Sequence, residues 1–223
     1  MYYIYVCHMI IVRINKVSVD FMVEGGVFLL ILRGGIVDCF IFLAGIRVGM
    51  GRIRLPAPSV FVKRAVRLHV TDAKIIDPRR VVTGEWVRLK CQFGCDGYGQ
   101  HLTCPPFSPT PSQTRRVLDE YQTAVLIHYD SEEWREVDVV VSTLEREAFL
   151  AGYYKALGLG SGPCSLCETC NLGGGCRHAE QARPSMEACG IDVYATARAA
   201  GFPIEVVKGY SSPQNYYGLL LLL

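Results

Sequence analysis

Apolar positions recur at helical spacing from Ser59 to Val70, where Val62, Ala65 and Val66, with His69 more weakly, mark one face of a predicted helix. Ala73–Ile76 and Trp86–Leu89 are short apolar runs that read as strands, and Asp77-Pro78 and Thr83-Gly84 supply turns beside them. Thr110-Pro111-Ser112-Gln113 marks a helix start: a Thr N-cap, proline at the first helical position and Gln following as the partner of a capping box. That helix is expected to run to about Tyr121. Ala124–Tyr129, AVLIHY, has the length and composition of a buried strand. A long helix is predicted from about Val137 to Leu157, stopped by Gly158 and Gly160. Ser185–Ala200 reads as helical with a break near Gly190, where Asp192 is placed to cap a second piece. Gly201-Phe202-Pro203 is a turn, and Ile204–Val207 and Tyr216–Leu223 are expected strands. Between these elements, Cys91–Pro111 and Ser161–His178 are rich in turn residues and cysteine and lack a hydrophobic face. Strands alternating with helices imply an α/β or α+β domain, a small layered sheet flanked by helices that carries two cysteine-rich metal-binding loops.

The segment 1–49 departs from this pattern. It is strongly apolar and has no clear helix caps. Val27–Ile46 has the length of a spanning helix, but Arg33, Asp38 and the Gly34-Gly35 pair lie inside it. Each charge near the centre of such a span costs roughly 2.5–3.5 kcal/mol. A basic leader and a small-residue cleavage site, the marks of a signal peptide, are not evident. Three readings compete: a strand-rich extension using Tyr2–Val12 and Val27–Leu32, a marginal membrane anchor at residues 27–46, and an upstream frame ahead of a native start at Met50. The last is favoured. It leaves residues 50–223 as the cysteine-rich metal-binding domain, and Cys7 and Cys39 as incidental thiols.

Composition adds that half of the residues are hydrophobic (50%) and a fifth charged (20%), enough apolar material for a core and unlike a disordered chain. The net charge of +2 is too small to argue for nucleic acid, and the basic residues from Arg52 to Arg116 are scattered. The 10 cysteines change the picture most. A core of this size does not need disulfide staples, and the cysteines are closely spaced, so metal is favoured over a disulfide framework.

Cys164-x2-Cys167-x2-Cys170-x5-Cys176 carries the sharpest signal. Three thiolates at that spacing on a tight loop suit three corners of a cubane 4Fe–4S cluster, as in ferredoxins, and iron favours soft sulfur ligands. The last gap is longer than in ferredoxins and no proline follows Cys176, so the fourth ligand stays open between Cys176 and Cys189. Zinc is the alternative metal, because C-x2-C is equally a zinc motif. Cys91-x3-Cys95-x8-Cys104 forms a second group, which a further ligand such as Cys189, Cys176 or His101 would complete. Whether the chain holds one site or two is open on spacing alone. The last gap in that group is too long for the motif of radical enzymes that cleave S-adenosylmethionine. His101 and His178 read first as polar loop residues and second as ligands, and His128 as a satisfied core histidine. Tyr153, Tyr154, Lys155, Arg183 and Glu187 flank the second loop and read first as helix packing and surface ion pairs and second as pocket-lining residues. No Ser–His–Asp order, G-x-G-x-x-G or phosphate-binding loop is present.

The stretches WVRLKCQFGCDGYGQHLTCPPFSPTP, FLAGYYKALGL, GPCSLCETCN, CRHAEQARPSMEACGID and NYYGLLLL resemble the predicted metal-binding proteins of domain-of-unknown-function family 2284, from about Val66 to the last residue. The resemblance implies a prokaryotic, cytoplasmic, cysteine-rich protein that binds metal, with Cys91, Cys95, Cys104, Cys164, Cys167, Cys170 and Cys176 as matched residues and Cys189 after them. Three functions follow as expectations. The first is an iron–sulfur protein with one or two clusters, serving electron transfer to a redox partner protein. The second is an enzyme whose incompletely ligated cluster binds substrate. The third is a zinc-stapled binding module.

Overall fold

The computed structural model describes residues 55–130, 135–209 and 212–223. The apolar segment 1–49, with Cys7, Cys39, the strand readings at Tyr2–Val12 and Val27–Leu32 and the anchor reading at 27–46, lies outside the described residues. Helix α1 spans Ser59–Arg67, strand β1 Asp72–Ile76, α2 Glu85–Gly94, α3 Pro111–Leu118, β2 Ala124–Tyr129, α4 Arg135–Leu150, β3 Leu157–Leu159, α5 Val193–Ala199 and β4 Tyr216–Leu221. A single 3-10 turn, Pro78–Arg80, follows β1 and is capped by Asp77, whose Oδ1 accepts from the Arg79 N–H at 2.9 Å.

The four strands form one sheet in the order β1-β2-β4-β3, and every neighbouring pair is antiparallel. That pairing makes the domain α+β. Register explains the two-sided core. Ala124, Leu126 and His128 sit opposite Leu221, Leu219 and Tyr217, while Val125 and Ile127 sit opposite Leu220 and Gly218. Side chains alternate between faces, so one set points to each side. Leu126, Leu219 and Leu221 pack with Leu118 of α3, Met186, Ile191 and Ala197 of α5. Val125, Ile127 and Leu220 pack with Phe61 and Ala65 of α1 and with Val137, Val141 and Leu144 of α4. All six β2 residues are buried. Each fully buried Leu or Val contributes roughly 1.5–3 kcal/mol relative to exposure, so this sandwich of helices on both faces carries most of the stability. Arg64 of α1 and Glu147 of α4 close the second face, with Nε–Oε2 at 2.9 Å and Nη2–Oε1 at 2.8 Å.

Several expected elements are confirmed. The Thr110 capping box forms: the Gln113 N–H donates to Thr110 Oγ1 at 3.2 Å and the Thr110 N–H to Gln113 Oε1 at 2.8 Å. Asp192 caps α5 by accepting from the Ala195 N–H at 2.9 Å. His128 is a satisfied core residue, 4% exposed, bonded to Asn215 and stacked on Tyr217.

Others are corrected. Trp86–Leu89 is not a strand. It lies within α2, whose only buried residue is Val87, while Trp86 and Leu89 are exposed on the helix surface. The same correction places Cys91 on a helix instead of in a loop. Helix α1 ends before His69, which takes a left-handed φ of +66° and forms the exit turn. Its core face is Phe61 and Ala65, while Val66 is exposed. The long helix stops at Leu150, since Gly152 at φ +106° turns the chain, and Leu157–Leu159 instead pairs with β4. A Cβ on Gly158 would lie 2.4 Å from Val141 Cγ1, so glycine lets this edge strand press against α4. Ser185 bridges to Gly160, Met186–Gly190 is a turn, and Ile204–Val207 is not a strand. No helix among the described residues is long and apolar enough to cross a membrane.

Candidate metal centre

Strand β3 delivers the chain into the second cysteine loop through a fixed neck. The Gly160 N–H donates to Pro184 O at 2.9 Å and the Met186 N–H to Gly160 O at 3.0 Å, so the loop leaves and returns at one point. The Ser161 N–H donates to Asp138 Oδ1 at 2.8 Å. That carboxylate occupies the space a side chain at position 160 would need, since a Cβ there would lie 1.8 Å from Oδ1. Burial pushes the Asp138 carboxyl up to about 7; the Ser161 N–H opposes this and the nearby Glu187 charge adds to it. On the returning limb Arg183 pairs with Glu145, Nη2–Oε1 2.8 Å, and both side chains are largely buried. Glu145 Oε2 also accepts from the Gly158 N–H at 2.8 Å. Arg183, expected in a surface ion pair, is instead held in a largely buried one that ties the loop to α4 and β3.

Within that loop, Cys164, Cys167, Cys170 and Cys176 line one cavity of about 20 Å³, with His101 and His178 at its edge. This is room for one water-sized guest. Cys164, Cys167 and Cys170 are half-buried and Cys176 is exposed. The Leu102 N–H donates to Cys170 Sγ at 3.4 Å, so the first cysteine loop touches the second. Burial raises the Cys164 thiol above its ordinary range; the Leu166 N–H opposes it, and Cys176, Asp138 and Cys167 add to it.

The first group sits on different elements. Cys91 lies on the last turn of α2 and Cys95 is its C-cap, and Cys104 follows in a loop held by Gly99 N–H to Pro105 O at 2.7 Å. Arg88 knits that loop to the body, donating to Pro109 O at 2.9 Å and to Ser108 O at 3.3 Å. Burial pushes the Cys104 thiol up to about 11; Thr103 opposes this, and Cys95, Cys91 and Cys164 add to it. Cys91 is raised for the same leading reason, with the Cys95 and Glu187 charges adding and Arg88 opposing. Cys91, Cys95 and Cys104 open onto a cleft of about 660 Å³, walled in part by Trp86, Tyr98, Tyr194 and Glu187. Such a volume falls in the range of small-molecule sites.

Cys189 lines neither cavity. It is 1% exposed in the hydrophobic core beside Met186 and Ile191, and burial pushes its thiol up to about 12. The structure therefore gathers Cys164, Cys167, Cys170 and Cys176 around one cavity and Cys91, Cys95 and Cys104 around another, and sets Cys189 apart. All eight described cysteines are free thiols. Among the described residues no three Cys, His, Asp or Glu side chains stand in positions to hold a metal ion as they are. The donor chemistry nonetheless fits one: four soft thiols on a single cavity suit iron or zinc, and loading must displace their protons. Asp138 carries no signal in the sequence as a site residue, and Glu187, which the sequence offers second as a pocket-lining residue, does line the cleft. Glu187 lies two residues before Cys189, within a stretch matched by the family resemblance.

The family described as predicted metal-binding protein (DUF2284) matches residues 74–222. No curated protein and no solved structure matches the chain.

Proposed function

The chain belongs to this family of predicted metal-binding proteins, and from that premise we propose that Cys164, Cys167, Cys170 and Cys176 hold a 4Fe–4S cluster used for electron transfer. The observation that carries the reading is that these four thiols line one cavity; at about 20 Å³ it is smaller than a cluster, so loading must spread the loop beyond its neck. The Leu102 N–H to Cys170 Sγ bond supports it, since N–H donors to sulfur are one lever on cluster potential. A cluster would supply a one-electron couple. The chain's own part is to fix the neck through Asp138 and Glu145, to bring a backbone donor to sulfur, and to leave Cys176 at the surface, facing a redox partner protein. A reducing cytoplasm, where thiols stay free for metal, belongs to the same reading.

Anaerobic purification tests it. The expected protein is brown and contains iron and acid-labile sulfide, and replacing Cys167 or Cys170 with serine removes both. A colourless protein with stoichiometric zinc would sink the iron reading and leave a zinc-stapled module. A second reading is enzymatic, favoured by Cys91, Cys95 and Cys104 facing a cleft of about 660 Å³. A metal held by three cysteines keeps a corner that polarises substrate as a Lewis acid. Metabolites that shift the metal's spectrum would support that use of the cleft.

A further inference from the structure

The three-cysteine group is one donor short of a tetrahedral set. Cys91 and Cys95 are one helical turn apart at the end of α2. Two of the sulfurs approach the same point beside Gly97: a Cβ there would be in ordinary contact with both, 3.5 Å from Cys95 Sγ and 3.6 Å from Cys104 Sγ. By count of cysteines, Cys189 should be the fourth ligand, yet it is sealed in the core and does not line the cleft. Glu187 does line it. Its backbone carbonyl lies 3.9 Å from Cys91 Sγ. The Ser185 side chain meets this carboxyl, but its Oε2 is buried and makes no hydrogen bond, which leaves that oxygen to a proton or a cation.

We propose that Cys91, Cys95, Cys104 and the Glu187 carboxylate hold one divalent ion of the zinc type, at a centre separate from the four-cysteine cavity. Three sulfurs and one oxygen are a donor set that zinc accepts. Loading draws the sulfurs inward, releases the thiol protons to solvent and gives Glu187 Oε2 its partner. The proposal deepens the reading of the chain as a metal protein, but it rests on different residues from the cluster reading, so the two fail separately.

The test uses the full chain with Cys164, Cys167, Cys170 and Cys176 replaced by serine, titrated anaerobically with Co²⁺ as a spectroscopic stand-in for Zn²⁺. The expected result is about one ion per chain, with X-ray absorption showing three sulfurs and one oxygen. In that chain Glu187→Gln should weaken binding by about ten- to a hundredfold, and Cys189→Ser should leave it unchanged. Absence of binding, a four-sulfur shell, or loss on Cys189→Ser with retention in Glu187→Gln would each overturn the proposal. If the fourfold variant does not fold, the single substitutions are made in the otherwise unaltered chain and bound Co²⁺ is counted. Glu187→Gln should then remove one ion and Cys189→Ser none; the reverse pattern, or no change with Glu187→Gln, sinks it. Iron and sulfide in the unaltered protein report on the cluster reading whatever happens at this centre.

Discussion

Asp138 shows how one side chain governs the entrance to the cysteine loop. Its Oδ1 accepts from the Ser161 N–H and fills the space above Gly160. Because its folded-state value is pushed from 3.8 to about 7, the folded protein holds a proton here that the unfolded chain has released. The associated stability is fully present below about pH 4 and is lost as pH rises through about 7. Urea melts of the metal-free chain between pH 5 and 8 should show falling stability, and Asp138→Asn should flatten that slope. An unchanged slope in the variant would show that other groups set it, with Glu187, raised in the same direction by burial, the first to examine. Gly160→Ala should cost about 1–3 kcal/mol in the same melts, because its Cβ collides with Asp138 Oδ1. A double-mutant cycle with Asp138→Ala should show strong coupling, since removing the carboxylate relieves the clash.

At the scale of elements, two capping signals that lie within one turn of chain match the structure. The Thr110 capping box and the Asp192 cap are satisfied by neighbouring backbone N–H groups. Thr110→Ala should cost about 1 kcal/mol in equilibrium unfolding, because it removes one half of a reciprocal cap; a change of a few tenths would mean that Pro111 and burial of Leu118 hold α3 without it. Errors arose where local composition competed with partners far along the chain. Trp86–Leu89 has strand-like residues, but among the described residues it pairs with no strand and it forms helix. Leu157–Leu159 continues a helical pattern in sequence, yet β4 offers unpaired backbone groups and Gly158 fits against Val141, so it becomes an edge strand. Backbone hydrogen bonds must be made somewhere, and the nearest available sheet edge decided the issue.

For the whole molecule, the central strands β2 and β4 are buried and paired on both sides, whereas the cysteine loop is tied mainly at its neck. Metal loading should therefore slow hydrogen exchange of amides from Cys164 to His178 and leave β2 and β4 nearly unchanged. Uniform protection across the sheet would indicate that metal acts on global stability instead. The sequence by itself determined the strands β1, β2 and β4, where two helices begin, and that Cys164, Cys167 and Cys170 share one tight loop. Those features depend on spacing within a short stretch of chain. Only the tertiary structure decided that the sheet is antiparallel, that Cys91 sits on a helix, that Cys189 is buried away from both thiol groups, and that Asp138 and Glu187 stand beside them. Those features depend on which distant segments share a sheet edge or a core face, and burial of apolar surface, which is non-directional, does not encode such pairings in local spacing.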